Sequence, residues 1–212
     1  PRSLRCGDAS LIDSRETRAK RYFPERFEEA LAFEKLLATT AIERGLIGPA
    51  EGERIWQRHI ENCLPVVTLL PISGAKVADI GSGAGLPGIV VALARPELKV
   101  SLIEPLQRRV EFLYEVIEAL KLDNVEVIRA KAESVKGSYN YVLARAVAPL
   151  PRLIESTWHL IAPAGSLLAI KGESAAQEMA TTNLKKFKSH QLHEINLDDL
   201  PTGRIIEAVK AG

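Results

Sequence analysis

The stretch Val77-Ala-Asp-Ile-Gly-Ser-Gly-Ala-Gly-Leu-Pro-Gly88 decides the fold of this chain. A short apolar strand reaches an acidic residue, Asp79, and is followed by a glycine-rich turn and a predicted helix that begins near Leu86. Glycines let the backbone turn sharply and approach a ligand closely, and the start of a helix directs free N–H groups at the ligand. The stretch therefore predicts a strand, a nucleotide-binding turn and a helix.

Two classes of cofactor fit this turn. Gly83, Gly85 and Gly88 match the spacing G-x-G-x-x-G, which is typical of nicotinamide and flavin enzymes but is a weak signal alone. Asp79 and the additional Gly81 favour S-adenosylmethionine instead. A carboxylate beside the turn suits a ligand with an ammonium and a sulfonium, whereas it repels a pyrophosphate.

Strands and helices alternate from residue 76 onward. The last two predicted strands, 191–196 and 205–210, are joined by a loop too short for a crossover helix, so we expect an antiparallel hairpin. This hairpin is typical of methyltransferases and unusual in nicotinamide domains. The pattern predicts an α/β fold, the Rossmann-like fold of class I methyltransferases, with a seven-stranded, mostly parallel sheet and helices on both faces. The other predicted strands are 77–80, 100–104, 125–129, 140–145 and 166–171, and the predicted helices are 86–94, 106–121, 149–161 and 174–188.

The 212 residues are divided into three predicted parts. Residues 1–23 form a basic N-terminal arm, which we expect to be a solvated, flexible end rather than a phosphate-contacting arm. Residues 24–75 form an N-terminal cap of two helices, and residues 76–212 form the S-adenosylmethionine-binding methyltransferase domain.

The composition excludes several classes of protein. The net charge is only +1, so the overall charge does not by itself indicate a nucleic-acid-binding protein. No apolar run approaches the roughly 20 residues of a membrane span. The chain start also lacks the apolar region of a secretory signal, so we expect a cytoplasmic protein with no membrane partner. Cys6 and Cys63 are far apart and form no C-x-x-C pair, so we expect neither a disulfide framework nor a metal site.

Ligands of such sheets bind beyond the carboxyl ends of the strands. Glu104 can accept hydrogen bonds from ribose hydroxyls. Ala132 leaves room for an adenine ring, and Glu133 can meet the polar edge of that ring. Arg145 and Lys171 end two strands on the substrate side, where two cations can position a phosphate or the electron-rich edge of a base.

The absence of certain residue types excludes several classes of methyl acceptor. Methylation of carbon five of a pyrimidine needs a cysteine nucleophile near the fourth strand, and neither cysteine lies in the predicted sheet domain. The segment Ala144–Pro149 also lacks the Asp/Asn-Pro-Pro-aromatic sequence used for exocyclic amines and the Asp used for ribose hydroxyls. An acceptor with a free lone pair remains, because it needs no base to remove a proton; N7 of guanine is such an atom.

Several motifs together resemble the RsmG (GidB) family of bacterial 16S ribosomal RNA guanine-N7 methyltransferases. The similarity covers roughly residues 30–212, and the Leu-Pro-Gly ending of the glycine turn and the Trp-x-Arg-His segment are its most specific parts. The chain departs from many relatives at Asn62-Cys63, where they have Asp-Ser, which leaves any role of a carboxylate at residue 62 in doubt. The motifs are Asp79–Gly88, Glu133, Ala144-Arg145-Ala146, Ile170-Lys171-Gly172 and Trp56-Gln-Arg58-His59-Ile60.

The resemblance implies roles for individual residues. Gly81, Leu86, Ala132, Glu133 and Arg145 would contact S-adenosylmethionine, and Arg58, His59, Arg145 and Lys171 would lie near the RNA. The candidate catalytic residues are Arg145, Lys171 and His59; the candidate cofactor-binding residues are Asp79, Gly81, Gly83, Leu86, Glu104, Ala132, Glu133 and Arg145.

The expected partner is 16S ribosomal RNA or the small ribosomal subunit, with no metal. Two other functions remain open at this point. One is a methyltransferase of the same fold that acts on a small molecule or a protein, and the other is a nicotinamide-dependent oxidoreductase.

Overall fold

One seven-stranded sheet organises the chain in the computed structural model, which describes residues 16, 17, 19–197 and 200–212, with the exception of the side chain of residue 53. The strands lie in the order β3-β2-β1-β4-β5-β7-β6. The first five are mutually parallel, and β7 is antiparallel to both of its neighbours. The predicted sheet and the predicted hairpin are therefore confirmed. The strands are β1 Lys76–Ile80, β2 Lys99–Ile103, β3 Val125–Ile128, β4 Tyr139–Arg145, β5 Ile161–Lys171, β6 Ser189–Ile195 and β7 Gly203–Val209.

Helices cover both faces of the sheet. Helices α3 and α4 share one buried cluster with side chains such as Val77 and Leu102, while α5 and α6 share a second cluster with Ala78 and Val142 on the opposite face. This alternation explains why the central strands are apolar at nearly every position. The helices are α1 Phe27–Leu36, α2 Leu64–Val67, α3 Gly88–Ala94, α4 Gln107–Leu120, α5 Leu150–Thr157 and α6 Ala175–Thr181.

The N-terminal cap is less regular than two plain helices. Helix α1 continues as a π-helix over Leu37–Ala41, and the second predicted helix is a succession of short 3₁₀- and π-helical segments from Pro49 to Cys63 that ends in α2. The cap shares its hydrophobic cluster with β1 and α3, so it is packed directly on the sheet. Irregular helical segments of this kind are frequent at functional sites.

Part of the predicted basic arm lies within the described residues. Residues 16, 17 and 19–22 are helical, and the side chains of Ala19 and Phe23 are buried. The ring of Phe23 meets that of Trp56 edge to face, with centroids 6.2 Å apart. The rest of the predicted arm, residues 1–15 and 18, lies outside the described residues.

The last predicted helix, 174–188, is wrong in its length. Helix α6 ends at Thr181, because the hydroxyls of Thr181 and Thr182 donate hydrogen bonds to the carbonyls of Gln177 and Glu178. Short polar side chains that bond to the backbone in this way favour helix ends and turns. The residues that follow form a turn leading into β6.

A substitution at Gly88 tests the packing of α3 on the sheet. A Cβ added there would collide with the side chain of Leu102 and would lie 2.7 Å from Asp79 Oδ2. We expect Gly88→Ala to lower the free energy of unfolding by about 1–3 kcal/mol, measured by urea denaturation. At Gly172 an added Cβ meets nothing within 4 Å, so Gly172→Ala is the control. Equal urea midpoints for the two variants would contradict this packing.

Candidate functional site

The glycine turn between β1 and α3 adopts backbone angles that other residues rarely adopt. Gly81, Gly83 and Gly85 have φ values of 65°, 59° and 89°. The turn is fixed to β2 by a 2.8 Å hydrogen bond from Gly81 N to Ile103 O. A Cβ on Gly81 would lie 3.0 Å from the side chain of Val147. The turn therefore passes close to the loop after β4, and glycine keeps the space between them free.

Glu104 holds the turn from the end of β2. Its side chain is 1% exposed and accepts hydrogen bonds from Gly83 N at 2.9 Å and Leu106 N at 3.0 Å. Arg109 Nη1 lies 3.5 Å from the same carboxylate. Glu104 is therefore fixed in place at the edge of a cavity, where Oε1, which accepts only from Leu106 N among the described residues, keeps a further lone pair for a ligand hydroxyl.

Asp79 is buried beneath the turn. One carboxylate oxygen, Oδ2, accepts a 3.0 Å hydrogen bond from Gly88 N, whereas Oδ1 is buried with no hydrogen-bond partner among the described residues. Burial raises the pKa of Asp79 to about 6, although the hydrogen bond from Gly88 and the charge of Arg145 act in the opposite direction. Asp79 does not line either of the two cavities described next. It would therefore act on a bound cation through its charge and not by direct contact.

Cavity A, of about 600 Å³, opens at the carboxyl ends of the parallel strands. Ala132, in a 3₁₀ turn after β3, is buried, and the neighbouring Glu133 is exposed. A small buried residue beside an exposed carboxylate leaves room for a flat ring with a polar edge. The cavity is lined by Gly81, Glu104, Ala132, Glu133, Arg145 and Val147, among others.

Cavity B, of about 650 Å³, lies between the cap and the glycine turn. It shares Gly81, Arg109, Arg145 and Ala146 with cavity A, so the two cavities adjoin at the strand ends, and we call them together the cleft. Its remaining lining includes Glu51, Arg58, His59, Asn62, Gly83 and Leu86.

The cap contributes a cluster of polar side chains, and only some of their buried atoms have hydrogen-bond partners among the described residues. Arg58 Nη1 donates a 2.9 Å hydrogen bond to Glu51 Oε1, and His59 Nε2 lies 3.3 Å from Glu51 Oε2. The second contact lacks hydrogen-bond geometry, since both ring nitrogens of His59 and Oε2 of Glu51 are buried without hydrogen-bond partners among the described residues. Buried polar atoms of this kind are costly unless a ligand or water satisfies them.

The protonation of His59 follows from its position. Burial lowers its pKa, and the charge of Arg145 acts in the same direction, while Glu51 opposes both. The imidazole is therefore neutral near pH 7 and retains one acceptor nitrogen.

Arg145 joins the cap to the sheet. From the end of β4, its Nη1 reaches His59 O at 3.4 Å and Cys63 Sγ at 3.6 Å. The same side chain lines both cavities. Burial raises the pKa of the Cys63 thiol to about 11, and the thiol also donates to His59 O. Cys63 is therefore a packing residue and not a nucleophile.

Lys171 lies in a separate space, cavity C. Its Nζ donates to Ala148 O and Glu178 Oε1, both at 3.0 Å, and Glu178 also accepts from Leu150 N. Cavity C, of about 570 Å³, shares residues 146–149 with cavity A. The structure thus brings Arg145, His59 and the glycine turn together, and it places Lys171 next to them with its charge paired.

Sequence reasoning missed Glu51, Arg109 and Glu178. None of them belongs to a motif, and each reaches the site from a helical segment whose position depends on tertiary packing. Among the described residues there is no group of three or more His, Cys, Asp or Glu side chains suited to a metal ion. None of the described helices has the length and apolar character needed to cross a membrane.

The chain matches the family model described as GidB, rRNA small subunit methyltransferase G, over residues 26–204. The ribosomal RNA small subunit methyltransferase G of Streptomyces avermitilis is 47% identical over 186 residues, which cover 84% of this chain and 77% of the relative. The protein of the same name from Thermobifida fusca is 51% identical over 163 residues, which cover 76% of this chain and 68% of the relative.

Solved structures share the fold at low identity. A SAM-dependent O-methyltransferase from Thermotoga maritima aligns with a TM-score of 0.56 at 16% identity, over 72% of this chain and 65% of that one. TYW2 from M. jannaschii, solved in complex with AdoMet, aligns with a TM-score of 0.55 at 18% identity, over 71% of this chain and 74% of that one. These likenesses show a class I methyltransferase fold.

The raised pKa of Asp79 predicts how stability depends on pH. Between 3.8 and about 6 the folded protein binds a proton at Asp79 that the unfolded chain does not bind. The contribution of Asp79 to stability is therefore largest at low pH and is lost as the pH rises through about 6. Asp79→Asn removes this loss, so from about pH 4 to pH 7.5 the variant should gain about 1–3 kcal/mol relative to the wild type in urea denaturation. The control is Asp123→Asn, at a side chain that is 85% exposed. Parallel pH profiles for the wild type and Asp79→Asn would show that Asp79 has no raised pKa.

Proposed function

This chain belongs to the rRNA small subunit methyltransferase G (GidB) family, and we propose that it transfers a methyl group from S-adenosylmethionine to N7 of a guanine in 16S ribosomal RNA. The observation that carries the proposal is the cleft formed by the adjoining cavities A and B, which lies at the carboxyl ends of β1, β2 and β4 and is bordered by the glycine turn. Ligands of open parallel sheets bind at this position. With the family established, a nicotinamide-dependent oxidoreductase is no longer an alternative.

The residues present fit S-adenosylmethionine. Glu104 Oε1 offers a fixed acceptor for a ribose hydroxyl, and the space beside Ala132 suits the adenine. Glu51 Oε2 is a buried acceptor in cavity B that has no hydrogen-bond partner among the described residues, and an ammonium group would satisfy it. When bound, the cofactor supplies an electrophilic methyl group on a positively charged sulfur.

The chain's own residues would act mainly by alignment. N7 of guanine carries a free lone pair at neutral pH, so its methylation requires no residue to remove a proton before attack. Arg145 lies where the two cavities meet, and its guanidinium can orient the base or the cofactor. The neutral His59 and the paired Lys171 flank it and contribute polar contacts rather than proton transfer.

The substrate must present its base in an exposed conformation. N7 lies in the deep, narrow groove of an RNA helix, which side chains cannot read. We propose that the target nucleotide is single-stranded or extruded when it binds, either in naked 16S ribosomal RNA or in the small ribosomal subunit. Because the proposed substrate is ribosomal RNA, we propose that the enzyme acts in the cytoplasm.

Methyl transfer to RNA tests this function directly. We expect labelled methyl groups from S-adenosylmethionine to appear at guanine N7 after incubation with small-subunit particles or naked 16S ribosomal RNA. Arg145→Ala should lower kcat/KM by about 100-fold, because it removes charged contacts made by the reacting groups. The control is Arg44→Ala, since Arg44 pairs with Glu115 on the exposed surface at 2.8 Å. Label found only in protein, or at another atom of the RNA, would refute the proposal.

Gly81 tests the placement of the cofactor. Gly81→Ala adds a Cβ 3.0 Å from Val147, in the space where cavities A and B meet, at a residue with φ of 65°. We expect the Kd for S-adenosylhomocysteine, measured by calorimetry, to rise about tenfold or more. Gly74 has φ of 76° and an added Cβ there meets nothing within 4 Å, so Gly74→Ala introduces a similar backbone strain without filling the cleft. Equal Kd values for the two variants would place the cofactor elsewhere.

A further inference from the structure

Cavity C has one apolar wall and one polar wall. The apolar wall is the loop between β4 and α5, residues 146–149, whose sequence is Ala-Val-Ala-Pro. The volume of about 570 Å³ lies in the range of small-ligand sites. A nucleobase suits such a space, because its faces are apolar and its edges carry hydrogen-bonding groups. The polar wall is formed by the end of β5 and by α6, with Lys171, Ser174, Gln177, Glu178 and Thr181.

The loop of the apolar wall also borders the cleft. Ala146 lines cavities A, B and C, and Val147 lines cavities A and C. Ala146 has φ of 54°, a left-handed conformation that residues other than glycine rarely adopt and that is typical of ligand-binding sites. The side chain of Val147 is 45% exposed. A base that packs on Val147 in cavity C would therefore lie next to the space where we place the cofactor.

Lys171 and Glu178 keep hydrogen-bonding groups free on the polar wall. Lys171 Nζ donates to Ala148 O and to Glu178 Oε1, so one of its three N–H groups has no acceptor among the described residues. Glu178 Oε1 accepts from Lys171 and from Leu150 N, whereas Oε2 accepts from no described residue and is not a buried atom. The pair thus offers one donor and one acceptor on adjacent side chains.

Both side chains are held in place before any ligand binds. The side chain of Lys171 is only 13% exposed, and that of Glu178 is 21% exposed. Glu178 is also fixed through its backbone, because its N–H donates to Ser174 O at 2.9 Å and its carbonyl accepts from the hydroxyl of Thr182 at 2.6 Å. A ligand therefore meets groups that are already ordered, which lowers the entropic cost of binding.

The free donor and the free acceptor match the Watson–Crick edge of guanine. On that edge O6 is an acceptor, and N1–H and the 2-amino group are donors. Adenine has the opposite arrangement, with an amino group at position 6 and a lone pair at N1, which would face the ammonium and the carboxylate. Enzymes that act on an extruded base read it by hydrogen bonds to this edge.

We propose that Glu178 and Lys171 select guanine as the base to be methylated. Glu178 Oε2 accepts from N1–H and from the 2-amino group, and Lys171 Nζ donates to O6. N7 lies on the other side of O6 from N1, so a base held in this way leaves N7 free for the cofactor. The inference rests on the proposed function and names the residues that recognise the substrate base.

Inosine tests the assignment without altering the protein, because it keeps N7, O6 and N1–H but lacks the 2-amino group. Two 16S ribosomal RNAs are compared that differ only in guanosine or inosine at the methylated position. We expect kcat/KM of the wild type to be about tenfold or more lower for the inosine RNA, since a hydrogen bond to a charged acceptor is lost. Equal kcat/KM for the two RNAs would overturn the inference.

Glu178→Gln tests the same contact from the protein side. The amide oxygen can still accept from Leu150 N and Lys171, so the amide NH₂ replaces Oε2 as the group that faces the base. We expect kcat/KM for the guanosine RNA to fall about tenfold, while that for the inosine RNA changes little, so the two values become nearly equal. The Kd for S-adenosylhomocysteine should stay as in the wild type. The control is Glu115→Gln, because Glu115 pairs with Arg44 at 2.8 Å outside cavities A, B and C.

A purely structural role of Glu178 predicts a different result. Glu178→Gln would then lower kcat/KM for both RNAs by the same factor, and the unchanged ratio would overturn the inference. Binding gives a measurement that needs no turnover: fluorescence anisotropy compares labelled uridine oligomers with one guanosine or one inosine, in the presence of S-adenosylhomocysteine. The wild type should bind the guanosine oligomer more tightly. Equal affinities would refute the role of Glu178 even if no methyl group is transferred to RNA and the proposed function fails.

Discussion

The close approach of α3 to β1 and β2 is the constraint on which the rest of the structure depends. Gly88 lies against Asp79 and Leu102, and there is no room for a side chain between them. Its N–H is bonded to the Asp79 carboxylate, which anchors the first residue of α3. The hydrogen bond from Gly81 N to Ile103 O fixes the other end of the turn. Because both ends are held, the turn itself can stay free of side chains and border an open cleft.

The cleft combines two parts of the chain that lie far apart in sequence. The parallel sheet brings the ends of β1, β2 and β4 to one edge, as the strand order requires. The cap places Glu51, Arg58 and His59 in cavity B, across from the glycine turn. Arg145 connects the two parts through its contacts with His59 and Cys63. A group of unsatisfied polar atoms is thereby held at the site, and the packed hydrophobic cluster beneath the cap supports that arrangement.

Most of the sheet could be predicted from the sequence, because the central strands are short apolar runs that end at a glycine, a charge or a turn. The strand ends Glu104, Arg145 and Lys171 were found for the same reason, and the structure places each of them at a cavity. The pairing of Lys171 with Glu178 could not be predicted, since it depends on how α6 packs. Glu51 lies in an irregular helical segment with no pattern of its own, so only tertiary structure reveals it. The end of α6 at Thr181 depends on hydroxyl groups that compete with helical hydrogen bonding, and a count of apolar spacings does not detect this.

Glu178 imposes a constraint on how this protein can diverge during evolution. One of its carboxylate oxygens accepts both from Leu150 N, at the first residue of α5, and from Lys171 Nζ, at the end of β5. Replacing Lys171 would leave a partly buried carboxylate without its cation, and replacing Glu178 would free both the lysine and the start of α5. Positions 171 and 178 are therefore expected to change together among descendants of this sequence.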